Sequence, residues 1–134
     1  MNQDKKVLLS TLWIFAVLNY LYADVFSLMN PTRLDEFMNG VVGGMTITPM
    51  FLFIGGVLME TAIVMVLLSR IIKYKWNRIT NILAGIIHTL AVLASLFVGT
   101  AEMFYVFFAL IEIATTSYII FLAWTWKENY PKKD

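Results

Sequence analysis

The chain has no cysteine among its 134 residues. Disulfides, thiol catalysis, thiolate zinc sites and membrane dithiol chemistry are therefore excluded. Charge is scarce too: Asp, Glu, Lys and Arg make up 14% of the chain, against about 25% in an ordinary globular domain. The formal net charge of +1 leaves no basic excess for a nucleic-acid surface. Only three prolines are present, so long apolar runs go uninterrupted. What is there is hydrophobic, at 60% of residues, with a mean hydropathy of +0.75. A small soluble fold has no interior large enough for that much apolar surface, whereas a bilayer accepts it.

Four apolar runs carry this surface: Val7–Met29, Pro49–Ser69, Ile79–Gly99 and Met103–Trp126. Each has about 20 residues or more, enough at roughly 1.5 Å per residue to cross a hydrocarbon core of about 30 Å. Lys and Arg occur only outside them. The predicted fold is all-α: a single polytopic domain over residues 1–134, with four transmembrane helices in an up-down-up-down bundle. Lys5 and Lys6, then Arg70, Lys73, Lys75 and Arg78, then Lys127, Lys132 and Lys133 all fall on one side of such a bundle, leaving only Arg33 on the other. The positive-inside rule places both termini in the cytoplasm, with Trp76, Trp124 and Trp126 at the inner interface. Cleavage of the first run as a signal peptide after Ala23 is disfavoured, because Leu21 is too large for the small-residue pattern and the run continues through Val25 and Phe26.

The longest connection is Asn30–Thr48. Asn30-Pro31 reads as a helix N-cap followed by proline at the first helical position. Pro31–Asn39 is a candidate short amphipathic helix with Leu34, Phe37 and Met38 on one side, ended by Gly40. Val41-Val42-Gly43-Gly44-Met45 either dips between helices or returns the chain, and Thr48-Pro49 repeats the capping signal.

Ionisable groups inside a membrane are costly and so are functional candidates. By helical rise Glu60 lies about 16 Å and Glu112 about 14 Å from the outer ends of their runs, and His88 about 14 Å and Asn19 about 18 Å from the inner ends of theirs. Every helix thus sends one polar group to the midplane. Asn81, Gly85, His88, Ser95 and Gly99 form one small, polar stripe on the third run. Tyr105, Ala109, Glu112 and Thr116 form one on the fourth, and Ala16, Tyr20, Asp24 and Ser27 on the first. Ala91, Ser95 and Gly99 would let a neighbouring backbone approach. Two carboxylates in a low dielectric repel, so Glu60 and Glu112 need a shared proton or a cation between them. Glu60, His88 and Glu112 are also the only trio offered for a metal, supplying two oxygens and one imidazole. The Glu-x-x-His step of di-metal bundles is missing. The same residues also fit a plain clasp between helices.

Leu8-Leu9-Ser10-Thr11-Leu12-Trp13-Ile14-Phe15, Leu18-Asn19-Tyr20, Ala23-Asp24-Val25-Phe26, Met59-Glu60, Leu67-Leu68-Ser69-Arg70, Ile111-Glu112 and Ala123-Trp124-Thr125-Trp126 resemble a family of small bacterial four-helix membrane proteins of unknown function. More loosely the chain resembles the DoxX-like group. That likeness implies a bacterial inner-membrane location and, for some members, a link to redox or quinone enzymes. It brings no catalytic residue or cofactor with it, and the lack of cysteine counts against thiol-based versions of that role. The residues themselves show no nucleophile–base pair, phosphate loop or HExxH helix. The functional expectation is binding or movement of a small solute, cation or proton, in a bilayer and with a homo-oligomer as the plausible assembly. The alternatives are an accessory subunit of a membrane complex or a lipid- or quinone-linked redox component.

Overall fold

The computed structural model describes residues 2–128; Lys132 and Lys133 of the basic tail lie outside the described residues. The chain is all-helical apart from one short hairpin: α1 (Asn2–Met29), α2 (Pro31–Met38), β1 (Val41–Val42), β2 (Met45–Thr46), α3 (Pro49–Ile71), α4 (Tyr74–Ser95) and α5 (Met103–Thr125). Four of the helices are long and apolar enough to cross a membrane.

The bundle is apolar outside and mixed inside, where polar side chains are set into an apolar core that includes Leu9, Ala16, Met65 and Ile119. Phe15, Phe53, Leu83, Leu90, Leu110 and Phe121 are exposed, while Ser10, Ser69, Asn77, Asn81, His88, Glu112 and Thr116 are buried. A water-soluble bundle sorts its residues the other way. In hydrocarbon the outer face needs no cover, and polar side chains must find partners in the interior. Around the bundle α1 adjoins α3 and α5, and α4 packs closely on α5 but only thinly on α3. Gly85 explains the closeness: a Cβ there would meet Ile120 Cγ1 at 2.6 Å and the Thr116 carbonyl at 3.3 Å.

Hydrogen bonds tie the helix ends together. Lys6 Nζ donates to the Ile72 carbonyl at 2.7 Å, and Tyr74 Oη to the Trp126 carbonyl at 2.7 Å. These mark one end of the bundle, here the basic end. At the other, Asn30 Nδ2 donates to Glu102, α2 packs on α1 and on β1, and the hairpin turn lies against Val98 and Gly99.

α4 runs Tyr74–Ser95 rather than Ile79–Gly99. Lys75 and Arg78 suggested a loop. Instead Arg78 Nε and Nη2 donate to the carbonyls of Ala123 and Trp124, at 3.0 and 2.9 Å. Those carbonyls lie at the C-terminal end of α5, where acceptors run short of helical donors. The helix closes early because Phe97 and Val98 take tighter bonds, to the carbonyls of Ala94 and Ser95. Gly99 then turns at φ +66°.

Both predicted caps form. Asn30 Oδ1 accepts from the amides of Thr32 and Arg33, and Thr48 Oγ1 accepts from Phe51 at 3.1 Å. The glycine run after Gly40 is a hairpin, with Val41 opposite Thr46 and Val42 opposite Met45. Gly43 and Gly44 have φ of +53° and +82°, the left-handed pair that a two-residue turn requires.

Candidate functional site

Helical spacing brings the site together. Along α1 the inward positions include Trp13, Ala16, Tyr20, Ala23 and Ser27; along α4 they are Asn77, Asn81, Ala84, Gly85, His88 and Val92. α1 and α4 meet across the centre through side chains. The Tyr20 ring stacks on His88 with centroids 5.4 Å apart, and Trp13 meets the same imidazole edge-on at 5.5 Å.

From α3 comes Thr61. Its hydroxyl donates to the Leu58 carbonyl at 2.6 Å and so has no second hydrogen to give. At 2.9 Å from His88 Nε2, Thr61 is therefore the acceptor and Nε2 carries the proton. In a neutral ring Nδ1 is then an acceptor.

Beside His88 lies a chamber of about 140 Å³ whose polar lining is Tyr20, Asp24, His88, Ser95, Tyr105 and Glu112. Tyr20 is 6% exposed and Glu112 5%. Tyr20 Oη and Glu112 Oε1 are buried without any hydrogen-bond partner. Asp24, Leu58, Ala91, Ser95 and Tyr105 line this chamber and also a vestibule of about 630 Å³, so the two spaces join. The vestibule walls are mostly apolar, including Phe37, Val42, Phe51, Ile54 and Val98. Arg33 stands among them, its Nη2 donating to the Thr100 carbonyl at 2.7 Å and its guanidinium 3.5 Å from both Glu36 and Glu102.

Towards the basic end the core closes. Trp13 Nε1 and Ser69 Oγ donate to Asn81 Oδ1 at 2.7 and 3.2 Å. Asn81 Nδ2 donates to the Asn77 carbonyl and to Asn77 Oδ1, and Asn77 Nδ2 donates to the Ser69 carbonyl at 2.6 Å. Every polar group in this lattice is matched.

Of the residues singled out from the sequence, His88 and Glu112 share the chamber, together with Tyr20, Asp24 and Tyr105. Thr116 is buried but clasps α5 to α4 instead, 2.7 Å from Thr89 Oγ1. Asn19 donates to Phe15 on its own helix at 2.8 Å and lines neither space. Glu60 is a correction. It is exposed and lines neither chamber nor vestibule. α3 buries Ala62, Met65 and Ser69, and Glu60 lies about 140–180° round the helix from them at about 100° per residue. The metal trio falls with it: among the described residues no three His, Asp or Glu side chains are grouped to hold an ion. The residue of α3 that meets His88 is the next one along, Thr61. Thr61 and Trp13 were both overlooked as partners of His88. Trp13 was detectable, one position from the Ala16–Tyr20–Asp24 stripe extended back by a turn.

A family of unknown function, DUF6326, matches the chain over residues 1–132. No link to the DoxX-like group is found. No curated protein and no solved structure matches the chain.

Proposed function

This chain belongs to the DUF6326 family, and from its own geometry we propose that it binds a small molecule inside the membrane, in the chamber between α1, α3, α4 and α5. The observation that carries this reading is the pair of unpartnered buried atoms, Tyr20 Oη and Glu112 Oε1, on one cavity. Leaving such a group unsatisfied costs about 1–3 kcal/mol. A purely structural clasp looks different in this same molecule: in the Asn77–Asn81–Ser69–Trp13 lattice every donor has its acceptor. Groups left open beside a space invite a ligand that completes them. Because the core beyond His88 is filled by Trp13, Asn77 and Asn81, each 0% exposed, the molecule comes and goes at the hairpin end, and binding is favoured over conduction.

The test is native mass spectrometry of protein extracted from its own membranes in mild detergent. Wild type is expected to retain a small-molecule adduct that the Tyr20→Phe/Glu112→Gln double variant loses. A bare wild-type mass under conditions that keep lipid adducts would sink the proposal.

Glu60 supports a second reading, of a neighbouring helix against α3. A carboxyl on the outward face, about 16 Å from either end of α3, faces hydrocarbon unless another helix covers it, and that burden is about 2.5–3.5 kcal/mol for a charged group. A second copy or a subunit of a larger complex fits this place. The basic end, which carries Lys6, Arg70, Lys73 and Arg78, is proposed to face the cytoplasm of a bacterial inner membrane. The lack of cysteine makes both points accessible to single-cysteine variants. Gly56→Cys is expected to cross-link to a neighbour in native membranes. Lys73→Cys is expected to react with an impermeant maleimide only after the cells are opened. A monomeric Gly56→Cys under oxidation, or labelling of intact cells at position 73, would reverse the respective reading.

A further inference from the structure

The chamber and vestibule together specify a ligand class, and this inference rests on the binding reading above. The polar wall of the chamber is rich in acceptors. Glu112 Oε1 has no partner, His88 lines the chamber with Nδ1 as the acceptor of its neutral ring once Nε2–H is given to Thr61, and the Asp24 carboxyl lines the same space. No Lys or Arg lines the chamber. Arg33 stands apart in the vestibule, held by Glu36, Glu102 and the Thr100 carbonyl. A head group that brings several N–H donors and a positive charge matches two carboxyls and an imidazole acceptor. A head group that brings only carbonyl or carboxylate oxygens does not. Tyr20 and Tyr105 complete the lining with rings able to flank a cation. The vestibule supplies the other half of the specification: its walls are mostly apolar and, at about 630 Å³, it is several times the volume of the chamber.

We infer that the ligand is a lipophilic amine, its ammonium group in the chamber among Asp24, Glu112 and His88, and its hydrocarbon body in the vestibule. The body reaches the bilayer between α3 and α4, the thinnest helix interface of the bundle. Gly55 of α3 lines the vestibule, and a Cβ added there meets nothing within 4 Å.

The experiment is calorimetric titration of the detergent-solubilised protein with octylamine, octanol, octanoate and a short-chain quinone, at a pH where octylamine is charged. Octylamine is expected to bind and the other three to bind at least about tenfold more weakly, as one lost charge-assisted contact implies. Asp24→Asn and Glu112→Gln are each expected to weaken octylamine by about tenfold or more, while leaving octanol unchanged. Asp24 is the safeguard should Glu112→Gln misfold, since it is exposed and lies outside the buried core cluster. Gly55→Leu fills the vestibule without strain and is expected to weaken octylamine while sparing ethylamine. Equal binding of octanol or octanoate, or preference for the quinone, would overturn the amine while leaving the binding site standing. No binding by any of the four, combined with the absence of an adduct in native mass spectra, would remove both.

Discussion

Asn81→Leu is expected to destabilise the bundle more than any other single change at its basic end, by about 3 kcal/mol or more. Asn81 is wholly buried and one side chain serves three others. Its Oδ1 accepts from Trp13 and Ser69, and its Nδ2 donates to Asn77. Leucine keeps the branched skeleton and removes every bond. Trp13 Nε1, Ser69 Oγ and Asn77 Oδ1 are then left inside an apolar core, each at a cost of about 1–3 kcal/mol. A single interhelical hydrogen bond in a membrane averages only about 0.6 kcal/mol, so the size of the effect comes from the number of groups orphaned at once. Ser69→Ala, which removes one bond of 3.2 Å, is the control and should cost under about 1 kcal/mol. Unfolding in mixed micelles followed by circular dichroism reads both. If the two variants unfold together, the lattice does not act as a unit.

At the other end the largest effect is expected from Gly99→Ala. The residue turns at φ +66°, where a side chain costs about 1–2 kcal/mol. An added Cβ would also stand 2.9 Å from Gly43 Cα, and that obstacle is backbone. Relief requires the hairpin to lift from the end of α4, and the hairpin supplies Val42 and Met45 to the vestibule wall. Faster amide exchange over Val41–Thr46 and weaker octylamine binding should therefore appear together, with α1, α4 and α5 unchanged. Gly40→Ala is the matched control, because a Cβ there meets nothing within 4 Å although φ is +69°. It should show the backbone strain without the loss of binding. Equal exchange in the two variants would mean that the Gly43–Gly99 contact does not hold the hairpin down.

Much of this was readable from residue order, and the failures have specific causes. Helix number and the inward faces of α1, α4 and α5 follow from spacing, because Tyr20, His88 and Glu112 each sit on a stripe of small or polar residues that distinguishes inside from outside. α3 carries no such stripe over its first half. Glu60 was singled out there by its depth along the run, but the buried residues are Ala62, Met65 and Ser69. In a helix with apolar residues all round, periodicity gives depth and leaves rotation to be set by packing. The early start of α4 was hidden for another reason. Basic residues mark the membrane boundary, yet Arg78 keeps its helix and spends its charge on the carbonyls ending α5. The hairpin was available in principle, since Val-Val-Gly-Gly-Met-Thr has the form of two short strands about a two-glycine turn. The partner it needs, the turn at Gly99, is more than 50 residues away in the chain, and nothing local announces it.

The division between a filled half and a hollow half also has a mechanical consequence. Hydrostatic pressure acts on void volume, and the volume lost on unfolding scales with the empty space a fold contains. The chamber and vestibule lie towards the hairpin end, while the core around Asn77 and Asn81 is densely cross-bonded. The spaces at the basic end, beside Ser10 and Arg70 and beside Tyr74 and Trp124, are open surface grooves. Compression is therefore expected to be anisotropic: the half nearer α2 and the hairpin yields at lower pressure, and the half nearer Lys6 and Tyr74 keeps its shape. A molecule that occupies the vestibule removes the volume on which pressure works, so occupancy stiffens the soft half and makes the two ends of the bundle mechanically alike.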